Sequence, residues 1–274
     1  MKILITGGNG NISQMIKRNL HSEEYQIITL SRNELNILNY TDVEMYLMAN
    51  KFDILVHTAI VGGRRTKEET SDVFYNNMLM FENMMKFSHM FKMIINFDSA
   101  AIYDRNTDIL NRKESDILTI PTDYYGFSKY VIYNRTLNHN NIYNFRIFNI
   151  FHSKEENNRF IKSCFNAKKN STEITIFEDK YFDFVYEDDF IKIIKYYFDN
   201  IDLQHKLNKT INICYEEKYK LSEIAMLILG NKDKIKVLDS SLKHNYTGDY
   251  TPIKSLIILD GLTTSLAKYQ HLIE

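Results

Sequence analysis

The segment Thr6-Gly7-Gly8-Asn9-Gly10-Asn11-Ile12-Ser13 constrains this chain more than any other stretch. It follows a short apolar, β-branched run, Lys2–Thr6, and precedes a helical pattern carried by Ile12, Met15, Ile16 and Leu20. Glycines placed there permit a tight turn and let the backbone approach a pyrophosphate. The helix that follows offers free N–H groups and a favourable dipole. A glycine cluster can also mark a plain turn, but its position after the first strand favours dinucleotide binding. Ser13 stands where the usual pattern has a third glycine, and is small enough for helix–strand packing.

The rest of the chain supports a sheet behind that turn. Further strands are expected at 26–30, 53–57, 93–97 and 144–148, with helices over 40–50 and 71–91 and another from Pro121 to about Leu137. This alternation predicts a doubly wound parallel α/β sheet. After Phe151 it loosens. Helices are expected near 158–167, 188–198 and 221–229, and strands near 173–177, 184–186, 211–214 and 234–238. The expected division is a dinucleotide-binding domain over 1–151 and a mainly substrate-binding, small mixed α/β lobe over 152–274, interleaved with the main sheet. Lys plus Arg (34) nearly balance Asp plus Glu (35), which gives no electrostatic case for a nucleic-acid or membrane-surface partner. No segment reaches the ~20 apolar residues of a membrane span, and the N-terminus lacks the apolar core of a signal peptide. The reading is a cytoplasmic protein. Cys164 and Cys214 have neither disulfide-framework nor metal-ligand spacing, so both are expected as buried hydrophobes and no metal is expected.

Cofactor choice turns on the end of the second strand. An acid there would bind the ribose 2′-hydroxyl of NAD and repel a 2′-phosphate. The chain has no acid at that place and offers Ser31-Arg32, which suit a phosphate and favour NADP; Arg32 can equally be a solvated surface cation. Tyr125-Gly126-Phe127-Ser128-Lys129 sets a phenol and an ammonium on one helix face. A phenol of pKa ~10 transfers protons poorly at neutral pH. A fixed cation lowers that pKa and can hold the nicotinamide ribose, and Ser99 can hydrogen-bond a substrate carbonyl. With 19 tyrosines, a Tyr-x-x-x-Lys match arises by chance. Chance does not supply it in this order, after Asp-Ser-Ala-Ala-Ile-Tyr (98–103) and the glycine turn.

On these residues the chain resembles an extended short-chain dehydrogenase/reductase of the NAD-dependent epimerase/dehydratase family. The closer likeness is to nucleotide-4-keto-6-deoxysugar reductases of the GDP-fucose synthase kind. It rests on the run 31–39, on Val61-Gly62-Gly63, on Asn76-Asn77-Met78-Leu79-Met80 and on Asp183-Phe184-Val185-Tyr186-Glu187-Asp188-Asp189. The resemblance implies a Rossmann-type fold, NADPH as cofactor, a nucleotide-sugar substrate and a homodimer built through a helical bundle. It assigns catalysis to Ser99, Tyr125 and Lys129, the pyrophosphate to Gly7 and Gly10, and the 2′-phosphate to Arg32. Asn11, Ile12, Ser31 and Asn36, with Tyr125 and Lys129, complete the expected cofactor set.

Departures narrow the reaction. Dehydratases of this kind place an Asp-Glu pair after the catalytic hydroxyl, where this chain has Ala100 and Ala101. The epimerase cysteine of GDP-fucose synthase is also Ala101, and Glu155–Arg159 occupies the stretch of its later histidine. His152 nearby is a loop or core residue as readily as a catalytic one. The expectation is therefore a reductase without 3,5-epimerase activity. A 4-epimerase with retained cofactor and a non-catalytic NADP-binding sensor stand as alternatives. Phe182 replaces the family's arginine before Asp183, leaving Lys180, Lys162 or Arg159 for the substrate diphosphate. Gly62-Gly63-Arg64-Arg65 lines the sugar site or forms an exposed basic turn. Asn77 supports the catalytic network or is simply a buried amide. The methionines of 78–85 are read as core, and His271 has no partner that suggests chemistry.

Overall fold

The computed structural model describes residues 1–63 and 68–273. Apolar and β-branched runs form strands and the periodic segments between them form helices. In chain order these are β1 (Lys2–Thr6), α1 (Asn11–Leu20), β2 (Gln26–Leu30), α2 (Tyr40–Ala49), β3 (Ile54–His57), α3 (Ser71–Met85) and β4 (Met93–Ser99). Then come β5 (Ile109–Arg112), α4 (Tyr124–Thr136), β6 (Ile142–Ile147), β7 (Ile150–Phe151), α5 (Phe160–Asn170), β8 (Ile174–Ile176), β9 (Val185–Tyr186) and α6 (Glu187–Asp199). The chain continues through β10 (Thr210–Ile213), α7 (Leu221–Leu229), β11 (Ile235–Val237), β12 (Tyr246–Gly248), α8 (Thr251–Lys254) and α9 (Leu262–Ile273).

Six strands form one parallel sheet in the order β10-β6-β4-β3-β1-β2, the doubly wound arrangement expected. In-register pairs such as Ile3↔Ile27, Ile3↔Ile54 and Leu55↔Ile94 fix the centre. Helices cover both faces of a sheet of this kind, so its strands read as continuous apolar runs. Ile3, Leu4, Ile5, Ile54, Leu55, Val56, Met93, Ile94 and Ile95 are fully buried. Met80, Met84 and Met85 of α3 pack with Leu4, Leu55 and Ile94, so the methionine run is core. The parallel register brings Thr6, Leu30 and His57 to one edge.

The chain divides into two compact units. The first holds 1–104, 117–146 and 194–211; the second holds 105–116, 147–193 and 212–273 among the described residues. Segment 105–116 thus leaves the first 151 residues for the second unit, and 194–211 returns to the first. That return is a packing requirement: the Tyr197 ring lies 5.5 Å from Tyr143 and 4.7 Å from Phe145. The second unit is built on the short parallel pairs β5–β12, β7–β9 and β8–β11. Its aromatic cluster joins Phe148, Phe182, Phe184 and Tyr246.

Local differences from the sequence reading have physical causes. The fourth strand runs on to Ser99, and the helix expected over 71–91 stops at Met85 before a 3-10 turn at Ser88–Met90. Helix α4 begins at Tyr124 rather than Pro121, because the Asp123 side chain accepts the Gly126 N–H at 2.8 Å and caps it there. The strand expected at 144–148 spans Ile142–Ile147, starting two residues early.

Candidate active site

The glycine turn has the shape its sequence implies. Gly7 has φ +67°, and a Cβ there would lie 2.9 Å from the Ala59 Cα. A Cβ on Gly8 would lie 2.7 Å from the Leu30 carbonyl carbon, so this residue, not singled out from sequence, presses the turn against the end of β2. Gly10 caps α1 in extended conformation with no side-chain acceptor, and the first turn carries no acid. The amides of Asn11 and Ile12 therefore open a helix end suited to an anion. Ser13 is buried and its hydroxyl donates to the Gly8 carbonyl at 3.1 Å, filling the place of the third glycine.

At the end of β2 the fold alters the expectation. Glu34, three residues past Ser31, turns back and accepts the Ser31 N–H at 2.8 Å and its hydroxyl at 2.7 Å. These two bonds, the hydroxyl's first, hold the Glu34 carboxyl below its usual range. An acid does stand beside the strand end, and Ser31 already spends its hydroxyl proton on it. Arg32 is exposed. The Asn36 side chain folds back toward the Leu38 N–H at 3.4 Å.

The Tyr125 and Lys129 helix is held hard against the end of β4. A Cβ on Gly126 would meet the Ala101 carbonyl oxygen at 2.9 Å, so the absence of a side chain lets α4 touch the turn Ala100–Tyr103. Ser99 heads that turn, its Oγ accepting the Ala101 N–H at 3.2 Å. Lys129 is 5% exposed; its Nζ donates to the Phe97 carbonyl at 2.5 Å and lies 5.7 Å from the Tyr125 ring centroid. Burial pulls the ammonium down to about 8, with Asp98 opposing. His57, at the end of β3, sits 3.1 Å from the Thr6 hydroxyl, and burial with the Lys129 charge pushes it down to about 3. It is a neutral imidazole at pH 7.

Two charged residues that the sequence reading passed over brace this corner. Asp98 accepts the Ser99 N–H at 2.8 Å and the Arg146 Nε at 2.7 Å, and both side chains are almost fully buried. Arg146 donates to the Tyr103 hydroxyl at 2.6 Å and lies over the rings of Tyr103 and Tyr133. Burial alone would lower the guanidinium, but Asp98 and the Tyr103 hydroxyl together outweigh it and hold Arg146 above its usual value. A charge inside each of two apolar strands was the available signal; nothing in the sequence says that the two meet. Asn77 is a buried amide of α3. It bonds both backbone groups of Val61, at 2.8 and 3.0 Å, and donates to the Ser128 hydroxyl at 3.1 Å, which donates to the Tyr125 carbonyl at 2.7 Å. Arg64 and Arg65 lie outside the described residues.

In the second unit, Arg159 lines a cavity of about 190 Å³ with Asn149, Asn158, Phe160, Phe182 and Phe184. The other two cations named for a diphosphate are engaged: Lys180 with Glu178 at 2.8 Å, Lys162 with the Ser153 carbonyl at 3.1 Å. His152 is a core residue, 6% exposed, and Cys164 and Cys214 are buried thiols. Among the described residues no His, Cys, Asp and Glu cluster could hold a metal ion, and no helix is long and apolar enough to cross a membrane.

The model of the NAD dependent epimerase/dehydratase family matches residues 3–214. GDP-L-colitose synthase of Yersinia pseudotuberculosis is 39% identical over 64 residues, a stretch spanning 23% of this chain and 21% of that protein. A GDP-mannoheptose C4 reductase from Campylobacter jejuni, solved with NADP bound, superposes with TM-score 0.78 at 18% identity, covering 99% of this chain and 97% of that one. A dTDP-4-dehydrorhamnose reductase from Clostridium acetobutylicum superposes with TM-score 0.79 at 19% identity, covering 100% and 99%. At these identities the superpositions establish the fold.

Proposed function

The chain belongs to the NAD dependent epimerase/dehydratase family, and we propose that it is an NADPH-dependent reductase of a nucleotide-linked 4-keto-6-deoxysugar. The observation that carries this reading is Lys129, buried 5.7 Å from the Tyr125 ring centroid and bonded to the strand that ends in Ser99. Beside them, Ala100 and Ala101 are buried and cannot transfer protons, which favours reduction over elimination. The glycine turn and the open end of α1 fit a dinucleotide pyrophosphate, and Arg32 is the residue proposed for the 2′-phosphate.

NADPH, when bound, supplies the hydride that adds to the keto carbon. Ser99 donates a hydrogen bond to the carbonyl oxygen. Tyr125 gives its phenolic proton to that oxygen, completing the alcohol. Lys129 stabilises the phenolate left behind and lowers the cost of the transfer. The reductases among the similar proteins support the substrate class, and Arg159 is the cation proposed for the diphosphate. A homodimer through α3 and α4 is proposed on the stacked rings of Phe74, Phe127 and Tyr130, with Tyr75 64% exposed beside them.

The test is NADPH oxidation against UDP-, GDP-, dTDP- and CDP-linked 4-keto-6-deoxysugars. One sugar is expected to consume NADPH. Tyr125→Phe is expected to cut turnover by about 10²–10⁴-fold, the range of general acid catalysis, while NADPH binding stays near wild type. No consumption with any sugar sinks the reductase reading.

A further inference from the structure

The geometry points to Glu69 as a positioning residue for Tyr125, acting through the paired glycines at 62 and 63. This rests on Tyr125 being the proton donor. Glu69 accepts two backbone N–H groups, Gly63 N on Oε1 at 2.7 Å and Tyr125 N on Oε2 at 3.0 Å. One carboxylate thus joins the segment after β3 to the first turn of α4.

Gly63 lies directly on the tyrosine ring. A Cβ there would stand 2.9 Å from the Tyr125 Cζ, the carbon that carries the phenolic oxygen, and 3.0 Å from Cε2. A Cβ on Gly62 would stand 2.7 Å from Val73 Cγ1 and 3.1 Å from Glu69 Oε1. Both glycines have positive φ, +85° and +86°, which side chains rarely adopt. Bare backbone is therefore what fits between α3 and the ring. Asn77 fixes the near end of this strip at Val61 and Glu69 fixes the far end at Gly63.

The chemistry of the tie selects a carboxylate. Both partners are N–H donors, so the bridging group must accept twice; an amide offers one oxygen and would turn its NH₂ toward a donor. The first amides of a helix lack intrahelical partners. In α4, Glu69 serves Tyr125 N and Asp123 serves Gly126 N. Negative charge at that end is favourable to the helix dipole. Without the tie the strip leaves the ring, and the phenol gains orientations that do not deliver its proton.

The experiment compares wild type with Glu69→Gln by NMR and kinetics. In wild type an NOE is expected between the Gly63 α-protons and the Tyr125 ring, assigned through Tyr125→Phe. In Glu69→Gln that NOE is expected to vanish and both amides to exchange about tenfold faster, the size of one charge-assisted hydrogen bond. kcat is expected to fall by about tenfold or more, as small misplacements of a reacting group do, with KM and NADPH affinity nearly unchanged. If Glu69→Gln does not fold, Glu69→Asp, too short to span both amides, carries the same measurements. A retained NOE overturns the tie, whether or not any sugar is reduced. A lost NOE with unchanged kcat and pH profile makes Glu69 merely structural and overturns its role. A wild type inactive on every sugar fails the reductase reading instead, and the NOE still decides the tie.

Discussion

Burial holds the Lys129 ammonium near a pKa of about 8, against the usual 10.5, with Asp98 pulling the other way. Between pH 8 and 10.5 the folded chain thus binds less proton at this site than the unfolded chain, so stability rises with pH across that window. On the proposed mechanism activity should move oppositely, since a neutral amine would no longer stabilise a Tyr125 phenolate. Urea unfolding and kcat followed from pH 7 to 10.5 should show stability climbing while turnover falls through about pH 8. In Lys129→Met the stability slope at this window should flatten. At this scale the sequence was informative where spacing is local: Tyr125 with Lys129, and Gly7 with Gly10. It was silent where partners are distant. Asp98 meets Arg146 across 48 residues and Glu69 meets Tyr125 across 56. Glu34 was visible, but only the turn of the chain brings it onto Ser31.

Helix α4 shows how an element delivers a residue. Its N-terminus is set by Asp123 and its approach to the strand end by Gly126, where a Cβ would meet Pro121 Cβ at 2.8 Å and the Ala101 carbonyl at 2.9 Å. Alanine is the better helix former by about 1 kcal/mol. Overpacking against backbone costs about 1–3 kcal/mol, and wins here because a carbonyl cannot step aside. Gly126→Ala should therefore lower the thermal midpoint and lower kcat with it, since displacing α4 moves Tyr125 and Lys129 away from Ser99; an unchanged midpoint and kcat would contradict the packing described. Long elements with continuous apolar runs were legible to within a few residues. The strands β5, β7 and β12 were not, because two to four residues are too few to show alternation. Helix α9 was missed because its buried face includes Ser265, whose hydroxyl lies 3.0 Å from that of Tyr215; that polar residue is satisfied only by tertiary structure.

In the whole chain, neither compact unit is a single continuous stretch of sequence. An expected boundary at 151 follows from where strand–helix alternation loosens, and the sequence carries no mark that 194–211 rejoins the first unit. The join lies in side chains: Tyr143 and Phe145 are fully buried partly by Tyr197. Exposing large side chains of this kind costs about 1.5–3 kcal/mol each, a large share of the 5–15 kcal/mol by which a domain is stable. A fragment of residues 1–151 is therefore expected to lack a cooperative unfolding transition by circular dichroism. The same fragment with 194–211 supplied as a peptide should regain part of it, and a cooperative fold without the peptide would contradict this account.

The place of β10 at the margin of the sheet, beside β6, also bears on how the protein is made. A ribosome releases Ile142–Ile147 well before Thr210–Ile213. The nascent chain thus carries an open, apolar strand margin while everything between is added, and open margins of this kind recruit other strands. Elongation pauses within that interval prolong the exposure, while chaperones that cover the β6 margin shorten it. The yield of folded protein should thus respond to translation speed over 148–209 more than over the first hundred residues.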